Sequence, residues 1–190
     1  MKPRLVTIPI SHYCERARWA LDHAGVDYDE EQHLQVFSRR VTRRLGGGTV
    51  PVLVLADRVL ADSGEIVRFA SEQAGGSLYP ADEAERAEAE RLERELSGEL
   101  GVESRRIAYS WFLRIPGVAR YNAGRAPRLE AAVLRVLFPL AGSFIARKLQ
   151  VTPEKVERGM GRVDRVFDEI AERLSDGRPY LAGSASAPST

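Results

Sequence analysis

The stretch Thr49-Val50-Pro51-Val52-Leu53-Val54, entered through Gly46-Gly47-Gly48, constrains this chain more than any other. Proline cannot donate to a β ladder and is confined to edges, bulges and first residues of strands. Here it opens a β-branched run, where the missing donor does least harm. An X-Pro bond also takes the cis form at a cost of only about 0.5–1 kcal/mol. Two readings are open on these residues. One is an ordinary edge strand opened by proline. In the other, a cis Val50–Pro51 bond leaves the backbone of Val50 to pair with a ligand instead of a neighbouring strand.

The residues around it read as alternating strands and helices. Arg4–Ile10 is short and β-rich. Ser11 is a good N-cap, and Tyr13, Ala17, Ala20, Leu21 and Ala24 then recur at helical spacing until Gly25 stops the helix. Val26–Gln32 reads as a second strand and Phe37–Leu45 as a short, very basic helix. Val50–Leu55 and Arg58–Ala61 make a hairpin. Ser63 is expected to cap a helix whose apolar face is Ile66, Val67, Phe69 and Ala70. The order βαβαββα implies one mixed α/β sheet with helices on both faces, complete within residues 1–76.

Beyond Gly75-Gly76-Ser77 the composition changes to Glu, Arg and Ala. With 77–82 as linker, residues 83–190 read as all-helical. Ala81–Leu100 carries leucines one turn apart, and Ser104–Leu113 continues that helix past an interruption at Gly101. Pro116-Gly117 and Gly124–Pro127 read as loop. Leu129–Leu149 is helical, with a kink expected at Pro139. Thr152-Pro153-Glu154 is a strong helix start. Val156, Met160, Val163, Phe167, Ile170 and Leu174 form the expected core stripe of the bundle. The residues 184–190 are small and read as a disordered tail.

An apolar fraction of 44% supports a core, and a formal net charge of +1 gives no reason to expect nucleic acid or an anionic membrane. No apolar run is long enough to span a bilayer, and no signal peptide is read at the N-terminus. One cysteine excludes an internal disulfide framework and fits a reducing cytosol. His12, His23 and His33 lack the i, i+4 spacing of a zinc helix, so no metal is expected.

Five segments, in this order along nearly the whole chain, resemble the glutathione transferase family. Ser11-His12-Tyr13-Cys14-Glu15-Arg16-Ala17-Arg18-Trp19-Ala20-Leu21 resembles its first-helix motif, and Thr49–Leu53 its cis-proline strand. Asp62-Ser63 with Ile66 resembles its acid–serine signature. Leu78–Asp82 with Arg86-Ala87 resembles its interdomain linker, and Arg178-Pro179-Tyr180-Leu181-Ala182-Gly183 a loop late in its helical domain. The resemblance implies a thioredoxin-like domain that binds glutathione as co-substrate, a helical domain walling a hydrophobic electrophile, and a homodimer through the Asp62–Gln73 helix and the helix after Asp82. It implies Ser63 and Asp62 for the γ-glutamyl group, Val50 beside Pro51 for the cysteinyl backbone, and a cation among Arg39, Arg40, Arg43 and Arg44 for the glycyl carboxylate.

The resemblance also implies chemistry at Ser11. A thiol of pKa near 8.5 is only a few per cent thiolate at pH 7, and a hydroxyl donating to sulfur at a helix N-terminus favours the anion. Ser11 can also be a plain helix cap, and one residue can do both; the flanking motifs favour the catalytic role. Cys14 is the rival, at the spacing of a Cys-x-x-Cys pair whose first thiol has become serine, but reads better as a small buried hydrophobe. Tyr13 reads as core or pocket wall. His12, Tyr13, Arg105, Tyr109, Trp111 and Phe112 are candidates for the second-substrate pocket. The departures from the family pattern are His12 where proline is frequent, Thr49 where several members carry lysine, and a chain that stops where members continue with a buried helix. Glutathione conjugation is thus the first function, with a glutathione-dependent reductase or dehalogenase as its variant. A non-catalytic partner-binding protein is the second. A thioredoxin-type redox protein needs a second thiol.

Overall fold

Leu5, Val6 and Thr7 have no solvent exposure, and the strand they form lies between two others. A strand covered on both sides reads as an unbroken apolar run, as Leu5–Val6 does. The computed structural model describes residues 2–76 and 78–182. Among them are β1 (Arg4–Thr7), α1 (His12–His23), β2 (Asp29–Gln32), α2 (Gln35–Arg44), β3 (Val52–Val54), β4 (Val59–Leu60) and α3 (Ser63–Gln73). The helices α4 (Glu83–Phe112), α5 (Pro116–Arg125), α6 (Arg128–Lys148) and α7 (Pro153–Leu174) follow. The sheet order is β2-β1-β3-β4. β1 runs parallel to β2, with Leu5 opposite Glu30, and antiparallel to β3, with Leu5 opposite Leu53. β3 and β4 form an antiparallel hairpin. This is the thioredoxin-like βαβαββα domain followed by helices.

Three helices of this domain end in the same way. In α1, Gly25 N–H donates to Asp22 and Val26 N–H to Leu21. In α2 and α3 the same pair of bonds is made by Gly46 and Gly47, and by Gly75 and Gly76. Gly25, Gly46 and Gly75 stand at φ +65°, +83° and +67°, the left-handed region where a Cβ is penalised. Val26 is therefore part of the end of α1, and β2 starts at Asp29, not at Val26. β1 likewise ends at Thr7, three residues short of Ile10, where Pro9 could not have donated to a ladder.

α3 is capped by Asp62 instead of Ser63. The Asp62 carboxylate accepts from Gly64 N–H at 2.7 Å, and Glu65 reaches back to accept from Ala61 N–H at 3.0 Å. Carboxylate is as good a cap as hydroxyl, and Ser63 becomes the first helical residue.

By packing, the chain forms two compact units, Met1–Leu78 with Pro116–Ala141, and Tyr79–Ile115 with Gly142–Thr190. The first therefore holds more than residues 1–76. Pro116–Arg125, read from sequence as loop, is α5; proline at the first helical position loses no hydrogen bond. The start of α6 is tied to the domain because Glu130 accepts a hydrogen bond from Leu34 N–H at 2.8 Å.

In the second unit α4 runs unbroken through Gly101 and packs on α7, which Thr152 caps by accepting from Lys155 N–H. Glu103 of α4 is buried between Arg106 and Arg162, its Oε1 3.0 Å from the Arg162 guanidinium. A Cβ on Gly159 would lie 2.8 Å from Glu103 Oε2, so this glycine lets α7 approach the carboxylate. The α7 stripe is accordingly shifted: Val156, Val163, Ile170 and Leu174 are half-buried, but Met160 and Phe167 are 54% and 56% exposed. The tail 184–190 lies outside the described residues.

Leu53 is fully buried and paired on both sides. Leu53→Ala is expected to lower stability by about 2–5 kcal/mol, read in urea as a lower midpoint at unchanged slope.

Candidate functional site

The sheet registers bring four connections to one end. Ser11 follows β1, His33 and Leu34 follow β2, Val50 precedes β3, and Asp62-Ser63 follow β4. Extending the registers past the ladder sets Val50 level with Ile8 on one side and Ser63 on the other. His33 N–H donates to Thr7 carbonyl at this same end.

Ser11 is extended, at φ −158° and ψ 120°, and its Oγ accepts from Cys14 N–H at 3.3 Å. It is the cap of α1, accepting through a lone pair of its hydroxyl. Cys14 has no solvent exposure, and burial pushes its thiol up, against a weaker opposing hydrogen bond from Ser11. His12 is exposed and Tyr13 half-buried, their rings 4.0 Å apart.

Below Ser11 lies a polar cluster that sequence reasoning missed. The Arg18 guanidinium donates to Glu30 at 2.7 Å, to Thr7 Oγ1 at 3.2 Å and to the Ile8 carbonyl at 3.3 Å, and pairs with Glu15. Thr7 donates to Glu30 at 2.5 Å. Burial would push the Glu30 carboxyl up, but the bonds from Arg18 and Thr7 outweigh it and hold it below the usual range. Arg18 thereby fixes the connection between β1 and Ser11. A polar residue on an otherwise apolar helix face, two turns after the cap, is the only signal the sequence offers.

The Val50–Pro51 bond is cis. Pro51 is fully buried, Val50 half-buried and Thr49 exposed. Val50 lies outside the paired residues of β3. A Cβ on Gly47 would lie 3.1 Å from Val52 and 3.4 Å from Ala61, so the glycine loop is pressed against the strands that carry Val50 and Asp62. Ser63 is 4% exposed, and its N–H is not the one the Asp62 side chain takes. Arg39, Arg40, Arg43 and Arg44 are all exposed on one face of α2, and none makes an ion pair with a described residue.

The remaining candidates belong to the second unit. Arg105, Tyr109 and Phe112 share one face of α4, with the two rings edge to face at 5.9 Å. Trp111 is 64% exposed and lies off that face. Among the described residues no group of His, Cys, Asp and Glu is arranged to hold a metal ion, and no helix is long and apolar enough to cross a membrane.

Residues 5–78 match the family model "Glutathione S-transferase, N-terminal domain". The match lies on the thioredoxin-like domain and stops at its end. The chain as a whole has the glutathione S-transferase fold. It resembles a theta class glutathione S-transferase from the citrus canker pathogen Xanthomonas axonopodis pv. citri, solved with glutathione bound, at 21% identity and TM-score 0.66 over 98% of this chain and 76% of that one. It also resembles a possible glutathione S-transferase from Rhodopseudomonas palustris, at 20% identity and TM-score 0.63 over 97% and 76%. The β-etherase LigF from Sphingobium sp. strain SYK-6 is similar at 18% identity and TM-score 0.66 over 98% and 79%. At such identities the likeness shows the fold. Among curated proteins, none matches this sequence.

Two outcomes are expected of this thioredoxin-like domain. Arg18→Met strands Glu30 and lowers stability by about 1–3 kcal/mol, and adding Glu30→Gln returns part of the loss. The deficit is full above the usual glutamate value of 4.5 and shrinks as pH falls through the lowered value of Glu30; denaturant midpoints at several pH values read it. Cys14 is expected to react with maleimide at pH 7 at least tenfold faster in denaturant than in the native protein, as burial and a raised thiol pKa require.

Proposed function

We propose that this chain binds glutathione at the end of the sheet where Ser11, Val50 and Asp62-Ser63 converge, and activates its thiol for attack on a hydrophobic electrophile. The observation that carries the reading is that convergence: a hydroxyl, an unpaired strand backbone and a helix N-terminus at one sheet end, three kinds of group that a γ-glutamyl peptide thiol needs.

Each group has a physical role. The first turn of α3 offers the Ser63 N–H and hydroxyl to the γ-glutamyl carboxylate, favoured by the positive end of the helix. Asp62 faces the α-amino group with the carboxylate oxygen that does not cap the helix. The backbone of Val50, beyond the paired part of β3, offers its N–H and carbonyl to the cysteinyl unit, in the manner of strand pairing. An arginine of α2, Arg39 or Arg40, meets the glycyl carboxylate. Ser11 donates its O–H to the sulfur while its lone pair keeps the cap of α1. This lowers the thiol pKa and raises the thiolate fraction, and the thiolate then attacks the electrophile with departure of its leaving group. Buried Cys14 takes no part. Within this unit, His12 and Tyr13 beside Ser11 remain the candidates for contact with the second substrate.

The glutathione-bound Xanthomonas structure supports the ligand, and the β-etherase LigF supports a second reading in which the same thiolate performs another glutathione-dependent cleavage. Association as a homodimer belongs to the same proposal, and sedimentation tests it.

Calorimetry of reduced glutathione against the wild type and Ser63→Ala tests the site. Binding lost in the variant is expected; equal binding by both places the ligand elsewhere. Ser11→Ala is expected to retain binding, to lose about 0.5–2 kcal/mol of stability with the cap, and to cut conjugation about tenfold for each unit by which the thiol pKa rises. Thiolate absorbance titrated with bound glutathione reads that shift; an identical titration in both proteins removes Ser11 from catalysis.

A further inference from the structure

The strongest polar tie between distant parts of the first unit is at His33 and Leu34. His33 is 6% exposed. Its Nδ1 lies 2.6 Å from Glu130 Oε1 and its Nε2 lies 2.7 Å from Glu31 Oε1. The other oxygen of Glu130 accepts from Leu34 N–H at 2.8 Å. Leu34 is the N-cap residue of α2, and its own side chain can accept nothing. The orphan N–H groups of a helix start need an acceptor, and here it comes from α6, 96 residues along the chain.

The two carboxylates decide the charge of the ring. A neutral imidazole has one N–H and one lone pair, so it can donate to only one of them and turns its lone pair on the other. Only the imidazolium donates to both. The charged groups facing His33 are Glu31 from β2, Glu130 from α6 and, through its pairing with Glu31, Arg4 from β1. Burial would lower the His33 value, but the bonds to Glu130 and Glu31 outweigh it and raise it above the usual 6.5. Burial would raise Glu31, but His33 and Arg4 outweigh that and hold it below its usual 4.5.

We propose that Glu130 is a positioning residue for α2, and that its hold on the start of that helix is tightest while His33 is an imidazolium, which alone donates to Glu31 and Glu130 together. The clamp is closed between the lowered value of Glu31 and the raised value of His33. It loosens as pH rises through the latter, and again in acid as Glu31 takes up a proton. α2 carries Arg39 and Arg40, so the clamp governs where their guanidinium groups stand. That consequence for glutathione rests on the site proposed above; the clamp itself does not.

The full-length protein tests both. His33 is titrated by NMR in the wild type and Glu130→Gln, and exchange of the Leu34, Phe37 and Ser38 amides is followed from pH 5.5 to 9. S-methylglutathione, which has no titrating thiol, is bound calorimetrically over the same range. The expected result is a His33 pKa above 6.5 that falls by at least one unit in Glu130→Gln. Protection of these amides, corrected for intrinsic exchange, drops at least fivefold across the wild-type His33 titration and stays flat in the variant. The ligand's affinity follows the same curve. Glu130→Ala, which removes both acceptors, exposes these amides at every pH; if it does not fold, Glu130→Gln and His33→Gln suffice. A His33 pKa unchanged by Glu130→Gln, or amide protection alike in both proteins, overturns the clamp. A clamp that titrates as described in a protein that binds no S-methylglutathione leaves this inference standing and overturns the site.

Discussion

The position of β1 between a parallel and an antiparallel neighbour is the constraint on which the rest of the domain depends. A parallel partner requires a crossover, and α1 supplies it; an antiparallel partner on the other side requires the chain to return, and α2 with its glycine exit does that. Strand direction alone then sends the C-terminal ends of β1, β2 and β4 and the N-terminal end of β3 to one edge of the sheet. The end of the domain where these connections gather is thus a product of topology before any side chain is chosen. Leu5, Val6, Val52 and Leu53, all without solvent exposure, lock the registers that keep it there.

What the topology assembles, polar side chains then hold at defined distances. Arg18 binds the carbonyl of Ile8 and so restrains the turn that ends at Ser11; Glu130 restrains the turn that opens α2. Both are charged groups whose partners are backbone atoms of connecting segments, and both are satisfied by a second, ionic partner. Such bonds to charged groups are stronger than neutral ones, and they fix the backbone of connections whose side chains, Ile8 and Leu34, are already buried in the core. The site is therefore rigid where the sheet is, and restrained by ionic contacts where it is not.

These two levels also differ in how far the amino-acid sequence reveals them. Periodicity and punctuation were enough for α1, α2, the hairpin and the start of α7, because each depends on neighbours within one or two turns. The glutathione S-transferase motifs added the direction in which the pieces join. Arg18–Glu30 and His33–Glu130 left no such trace, since each joins polar residues from separate elements, and nothing local distinguishes them from solvated charges. Pro116–Arg125 was hidden for a related reason: its proline and glycine lie at positions where helices accept them, yet they punctuate loops more often. The exchange of Ser63 for Asp62 as cap shows how adjacent residues of equal capping power can be told apart only by geometry. On α7 four of the six expected stripe residues face inward, and Met160 and Phe167 do not, because Gly159 next to Met160 is the residue that meets Glu103.

The order of the sheet leaves β2 and β4 as its two margins. An exposed strand margin is a template for pairing with other chains. β2 reads Asp29-Glu30-Glu31-Gln32, so any second copy approaching in register would bring carboxylate against carboxylate. β4 is only two residues long and offers almost no template. One margin is thus guarded by charge and the other by brevity. The acidic residues that anchor Arg18 and His33 thus also occupy the margin where a further strand would have to pair.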